Sequence, residues 1–475
     1  MKVRGRLPGD QRVRLERIKP ELIEVKPPPK RRQPLSAPLV LIYGFAVMIG
    51  LGTLVLSLPI SSASGNWTPL LDALFTATSA VCVTGLTVVD TGTYWSGFGQ
   101  TVIMLLIQAG GFGFMTSSTL LLLLVVRRRT RLRDRVLVQE SMGSGELGNV
   151  TGLVGRVALF TLLTEAAGAA LLTFSFLGEG HSAGTSIWFG AFHAISAFNN
   201  AGFDLLGSVG QSSLRGLSTN YLVLGAIGVL ITIGGMGYAI VEDVIRNRSW
   251  RHLALETKVV VLTSAALVAL GAVTIGLLEW DNPATLGALA PDQRVLNAVF
   301  ESITLRTAGY SALDTRALVE PTIFVVMALM FVGGASGSTA GGIKVNTFSV
   351  LLIAIVSTAR GLPSAAAFGR RIQHVIVYRA LAVALLSIAF LFMVSLLLEV
   401  ISHEGFVDVL FEAVSALATV GASRGITPNL SDLAHIVIVI AMFAGRLGPL
   451  TLVLALTARR RQVAYRHAVE SIRIG

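Results

Sequence analysis

The sequence predicts an all-α integral membrane fold in which one unit, a span, a short re-entrant helix with its loop and a second span, is used four times around one axis. Three observations predict it. The 475 residues are 53% hydrophobic and 14% charged, with a mean hydropathy of +0.71, too little charge to keep a chain of this size dispersed in water. Crossing a bilayer core takes about 20 helical residues, and stretches of that kind lie near 39–60, 99–126, 152–177, 219–241, 258–279, 320–343, 374–401 and 433–457. Between the two spans of each pair, a shorter apolar segment runs from a phenylalanine to a glycine: Phe75 to Gly85, Phe192 to Gly202, Phe300 to Gly309 and Phe411 to Gly421. The glycines recur at intervals of 117, 107 and 112 residues.

In chain order, residues 1–38 are basic, polar and proline-containing, and predict a cytoplasmic tail with no signal-peptide core. Four units follow at 39–135, 136–251, 252–371 and 372–475, the last ending in a cytoplasmic C-terminal tail. Their spans are continuously apolar, without the alternation of barrel strands. Arginine clusters at 1–32, 127–135, 246–251, 360–371 and 458–461 are separated by pairs of spans. All five therefore fall on one side, which the positive-inside rule makes cytoplasmic. The formal charge of +11 is thus topology and not a nucleic-acid surface. Every unit starts and ends on that side, so the units are parallel, unlike the inverted repeats of many secondary transporters. Cys82 is the only cysteine, which excludes an intrachain disulfide and a cysteine-based metal cluster.

The Phe-to-Gly segments are too short to cross and read as half-helices. Backbone that stops being helical at membrane depth must be buried in protein or line water. A narrow cation passage replaces the hydration shell with protein oxygens, and backbone carbonyls supply these without fixed charge. Glycine tolerates the positive φ that turns consecutive carbonyls toward one axis. The candidate ion-binding residues are Val83, Thr84 and Gly85; Asn200, Ala201 and Gly202; Thr307, Ala308 and Gly309; and Thr419, Val420 and Gly421. The half-helices would aim their partially negative C-termini at the central cavity. Gly309 follows its phenylalanine by nine residues where the other glycines follow by ten, so strict fourfold symmetry is not expected.

Each second span carries a glycine echo: Gln108 to Phe114, Thr232 to Tyr238, Val332 to Lys344 and Phe443 to Pro449. The run Gly333 to Gly342 holds five glycines, each costing a helix about 1 kcal/mol relative to alanine, and has little reason to be helical. A phosphate-binding loop is excluded, because Gly342 is followed by Ile343 and Lys344 by Val345. Arg446 lies in the last span, where a charge costs about 2.5–3.5 kcal/mol. It either snorkels or meets a buried acid, or it faces the passage and hydrogen-bonds the glycine run, closing the path by bulk and repulsion. Arg306 is expected to pair with a half-helix glutamate, Glu301 or Glu412. His193 reads as a hydrogen-bonded structural residue and Cys82 as packing.

The loops NNAGF, RTAGY and TVGAS, the stretch GGASGSTAGGIKV and the late GRLGPLT in combination resemble the Trk/Ktr/HKT superfamily of potassium transport proteins, most closely its Ktr-type membrane subunit, over roughly residues 39–460. The resemblance implies four M1-P-M2 repeats, with eight transmembrane helices and four re-entrant pore loops around one pore. It implies a potassium filter formed by the carbonyls of the four tripeptides. It also implies an intramembrane gating loop of Gly333, Gly334, Ser336, Gly337, Ser338, Thr339, Gly341, Gly342 and Lys344, working with Arg446. Serine at the first-loop glycine accompanies sodium transport in plant members, so Gly85 implies potassium. Sodium enters as a transported or activating second ion. The resemblance further implies a homodimer in the plasma membrane and a cytoplasmic RCK-type ring carrying ATP or ADP. No cofactor is expected in the chain itself. His403 and Glu404 continue as HEGFV and not HExxH, and no enzyme is expected. The alternative is a secondary solute transporter with discontinuous helices.

Overall fold

The computed structural model describes residues 37–129, 150–211 and 213–448. The basic tail 1–36, most of the cluster 127–135 and the cluster 458–461 lie outside the described residues. Helix starts follow local sequence. Ser182, Asn220 and Ser431 cap helices by accepting from Thr185 N, from Leu222 N and Val223 N, and from Ala434 N. Pro291 and Pro321 sit in first turns, where no N–H is needed.

The first unit contains α1 (Ala37–Ser57), α2 (Leu70–Val81) and α3 (Gly97–Arg129). The second contains α4 (Val150–Gly178), α5 (Ala183–Phe198), α6 (Tyr221–Met236) and α7 (Tyr238–Asn247). The third contains α8 (Leu255–Glu279), α9 (Pro291–Thr307), α10 (Glu320–Phe331) and α11 (Val345–Ala359). The fourth contains α12 (His374–Ile401), α13 (Phe406–Ala418) and α14 (Asp432–Leu447). Between α11 and α12 a two-residue hairpin pairs Ala366–Ala367 with Arg370–Arg371, a small exception to the all-α architecture.

Each short helix, α2, α5, α9 and α13, packs against both neighbouring long elements of its own unit. Each also meets the second long element of the preceding unit: α3 touches α5, α6 touches α9, α10 touches α13, and α14 returns to α2. The contacts therefore close a circle. Phe75, Phe192, Phe300 and Phe411 are all buried, anchoring the short helices, while Leu162, Phe174, Leu277 and Phe392 are exposed on the long ones, as lipid-facing side chains are.

The long elements are not eight single helices, as the sequence reading expects for the run Gly333 to Gly342. Among the described residues four helices are long and apolar enough to cross a membrane, and a fifth crossing is α6 with α7, bent by 95°. The expected span 320–343 ends as a helix at Phe331, and the chain resumes helix only at Val345. The expected span 433–457 ends as a helix at Leu447, and residues from 449 onward lie outside the described ones. The breaks fall in the glycine echoes, at Gly237, at the run from Gly333 and at Gly448. Gly237 and Gly448 both have positive φ, a conformation that ends a helix cheaply only at glycine. The Trp250 ring meets the Phe368 ring at 6.4 Å, which puts the arginine clusters 246–251 and 360–371 side by side.

Candidate functional site

Each short helix ends in the same backbone device. Thr84 N donates to Ser79 O, Ala201 N to Ser196 O, Gly309 N to Thr304 O and Val420 N to Ser415 O, at 2.8–2.9 Å. The chain then turns upward through Gly85, Gly202, Gly309 and Gly421, all at positive φ. In the first, second and fourth loops a non-glycine residue two positions earlier is also left-handed: Val83, Asn200 and Thr419, with φ of 57°, 60° and 50°. The third loop has none. Its glycine comes one residue sooner, so Thr307 is still the last residue of α9 and the glycine itself makes the backbone bond. The unequal spacing read from the sequence is thus a real departure from symmetry.

The four loops meet edge to edge. A methyl added at Gly85 would overlap the Ala201 carbonyl oxygen; at Gly202, that of Ala308; at Gly309, that of Val420; and at Gly421, that of Thr84. Each glycine abuts the carbonyl preceding the next unit's glycine, and the fourth closes on the first. All twelve predicted residues are brought together in this ring. The residues before each glycine are buried, while the glycines are partly exposed. Thr84 Oγ1, Thr419 Oγ1 and Asn200 Oδ1 are buried without a hydrogen-bond partner. Oxygens so placed suit a dehydrated cation.

The second long elements approach this ring through their glycines. A methyl at Gly110 would overlap Val81 O, at Gly234 Phe198 O, and at Gly445 Leu417 O. Helix packing and repeat signal are therefore one feature in three of the units: glycine lets the second long helix touch the last turn of its own short helix. The glycine run leaves the helical path at Val332. The strand-like pair Val332 and Ile343 closes it, Gly333 N donating to Ile343 O at 2.9 Å. Ala335 N and Thr339 N donate to Gly235 O and Gly234 O, carbonyls in the last turn of α6 that the break at Gly237 would otherwise leave unpaired.

The glycine run lies against the inner ends of two short helices. Thr339 Oγ1 donates to Phe198 O at 3.1 Å, and Asn200 Nδ2 donates to Thr339 Oγ1 at 2.8 Å. Across the ring, Gly341 packs on Thr419 and Ala418. Arg446 is fully buried, donates to Thr339 O and, at 3.4 Å, to Gly110 O. Its guanidinium stacks 4.6 Å from the Phe114 ring, whose centroid is also 4.9 Å from Lys344 Nζ. Among the described residues Arg446 has no acid partner. The snorkelling and ion-pair alternatives are thereby replaced by contact with the glycine run. Sequence reasoning missed Phe114, for which nothing beyond the glycine echo is a signal.

The family model described as TrkH, cation transport protein, matches residues 39–462. The chain belongs to the TrkH family of cation transport proteins. It is accordingly a multi-pass membrane transport protein and not an enzyme. It is 39% identical over 420 residues to the Ktr system potassium uptake protein B of Bacillus subtilis (strain 168), covering 88% of this chain and 92% of that one. It is 36% identical over 451 residues to the potassium/sodium uptake protein NtpJ of Enterococcus hirae, covering 94% and 98%. The crystal structure of the potassium transporter TrkH from Vibrio parahaemolyticus shares the fold, with a TM-score of 0.71 at 17% identity, covering 90% of this chain and 87% of that one.

In this TrkH family member the residues that brace the loops are mostly unmarked in the sequence reading. Four positions after each opening phenylalanine stands a hydroxyl: Ser79, Ser196, Thr304 and Ser415. Ser79 and Ser415 accept from Gly85 N and Gly421 N at 3.0 and 3.1 Å. Ser196 and Thr304 instead donate to Phe203 O and Tyr310 O at 2.8 and 3.0 Å. The constant offset was the available signal. One position after the phenylalanine, His193 takes Leu205 N on Nε2 and Phe189 O on Nδ1, as expected of a structural histidine. Glu301 accepts from Ala312 N and Leu313 N at 2.7 and 3.0 Å, and Glu412 accepts from Ser423 and Thr427. The expected pairing of Arg306 with a half-helix glutamate does not occur; Arg306 donates to Ser264 O at 3.3 Å on α8. Residues five apart on a helix point about 140° away from each other, so Glu301 and Arg306 cannot share a face.

Proposed function

We propose that this protein is a potassium uptake subunit of Ktr type, conducting the ion through a filter made of the carbonyls of Val83 to Gly85, Asn200 to Gly202, Thr307 to Gly309 and Thr419 to Gly421. The closed ring of four glycine loops carries this reading. It offers oxygens at one axis without fixed charge, as a potassium site requires, and the potassium-named relatives support the choice of ion. The run Gly333 to Lys344, held beneath the ring by Arg446, is the gate: it stands under two short-helix ends and brings two cations with it.

Sodium dependence is part of the proposal, supported by the name of the Enterococcus relative. A homodimer with cytoplasmic termini in the cell membrane, regulated by a cytoplasmic RCK ring that binds ATP or ADP, completes it. The name Ktr system supports a partner component, and the adjoining arginine clusters 246–251 and 360–371 offer it a basic surface. The circular contact order favours four parallel units, and a pore, over a secondary transporter built of inverted halves.

Growth in limiting potassium of a host lacking its own uptake systems tests the reading, with the regulatory partner supplied. Growth is expected for the wild type, with lowered potassium preference over sodium in Gly85→Ser. No rescue by protein shown to be in the membrane rejects it.

A further inference from the structure

Glu165 is a carboxyl in the middle of α4, a helix whose apolar stretch Val154–Gly178 is long enough to cross the membrane, and it is only 5% exposed. An ionisable group at such a depth is costly and is kept where it serves a site. Its partners come from two other elements. Gln108 Nε2 of α3 donates to Glu165 Oε2 at 3.1 Å, and Asn199 Nδ2 donates to Glu165 Oε1 at 3.0 Å. Asn199 Nδ2 also faces Gln108 Oε1 at 3.0 Å and Ile195 O at 2.9 Å. Two amide protons thus meet three acceptors, and Asn199 Oδ1, buried against Gly111, has no partner.

Asn199 is the residue that ends α5 and immediately precedes Asn200, whose left-handed backbone opens the second filter loop. The corresponding residues of the other loops are Cys82, Arg306 and Ala418, so this polar anchor belongs to the seam between the first two units and not to the repeat. Gly111 makes room for it, since a methyl there would overlap Asn199 Oδ1. We infer that Glu165 is a positioning residue for ion selectivity, which through Asn199 and Gln108 fixes the Asn200 to Gly202 wall of the ring. The inference rests on the filter reading above.

The test is potassium uptake with sodium competition by the full-length protein and its partner in membranes, for Glu165→Leu, Glu165→Gln and, as control, Gly85→Ser. Glu165→Leu is expected to lower the preference for potassium over sodium roughly tenfold and to raise the KM for potassium. Glu165→Gln keeps the side-chain volume and one acceptor oxygen for Asn199 Nδ2, and is expected to retain more of the preference than Glu165→Leu. If Gly85→Ser shifts the preference and Glu165→Leu does not, the inference is wrong; equal loss in both Glu165 variants also overturns it. If Gly85→Ser shifts nothing, the filter reading itself falls and takes the inference with it. Should Glu165→Leu fail to accumulate, Asn199→Ala removes the direct bond from Glu165 to the loop and is read by the same outcomes.

Discussion

The Asn200 amide donates to the Thr339 hydroxyl at 2.8 Å, joining a left-handed residue of the second loop to the middle of the glycine run. The same hydroxyl donates to Phe198 O. Movement of the run therefore breaks bonds made to the ring itself. Each neutral bond of this kind is worth about 1 kcal/mol. Thr339→Val is expected to speed maximal potassium uptake, and Thr339→Ser to restore the wild-type rate. In a double-mutant cycle, Asn200→Ala should add little to Thr339→Val. Full additivity would show that the two side chains act separately.

Arg446 holds the run from the other side, with a bond from a charged donor to Thr339 O worth about 1.5–3 kcal/mol. Arg446→Ala is expected to raise uptake severalfold without changing potassium affinity. Tracer flux at saturating potassium measures this, and unchanged flux removes the gating role.

Gly234 and Gly228 lie six residues apart on α6 and should respond oppositely to alanine. At Gly234 a methyl overlaps Phe198 O, while at Gly228 it meets only Ile303 and Phe300 at 3.8 Å. Gly234→Ala is expected to cost about 1–3 kcal/mol, as overpacking does. Gly228→Ala should be neutral or stabilising by up to about 1 kcal/mol. Thermal unfolding in detergent distinguishes them, and a similar Tm for the two variants counts against the close approach.

Burial in the loop after the second glycine turn pushes the Asp204 carboxyl up to about 7, against donation from Leu206 N and with the Asp90 carboxylate adding to the rise. The unfolded chain releases that proton near about 3.9. Between these values the folded state keeps a proton that the unfolded state has lost, so stability falls as pH rises through the window and levels off above it. Tm measured across about pH 4.5 to 7.5 should decline, and Asp204→Asn should flatten the decline. An identical slope in the variant assigns the effect to other groups.

The parts of this architecture legible in the sequence are those that the repeat marks. Phe75, Phe192, Phe300 and Phe411 are buried because each begins the apolar face of a short helix, and the glycines after them sit where positive φ is needed. The single-residue deletion before Gly309 was visible as spacing, and its consequence, the missing left-handed residue, follows from geometry. The hydropathy pattern did not place the break at Phe331, because the alanines keep the window apolar while the five glycines of the run Gly333 to Gly342 disfavour a helix. Val345–Ala359 escaped for a different reason: a helix of fifteen residues, five of them polar, is too short to read as a span and stands next to Arg360. Partners chosen by the fold were out of reach. Glu165, Gln108 and Asn199 are far apart in the chain, and no spacing brings them together.

The ring closes from Gly421 back to Thr84 within one polypeptide. A channel assembled from four identical subunits changes all four walls with every codon. Here one codon alters a single quadrant, so the four sides of the ring can drift apart one at a time.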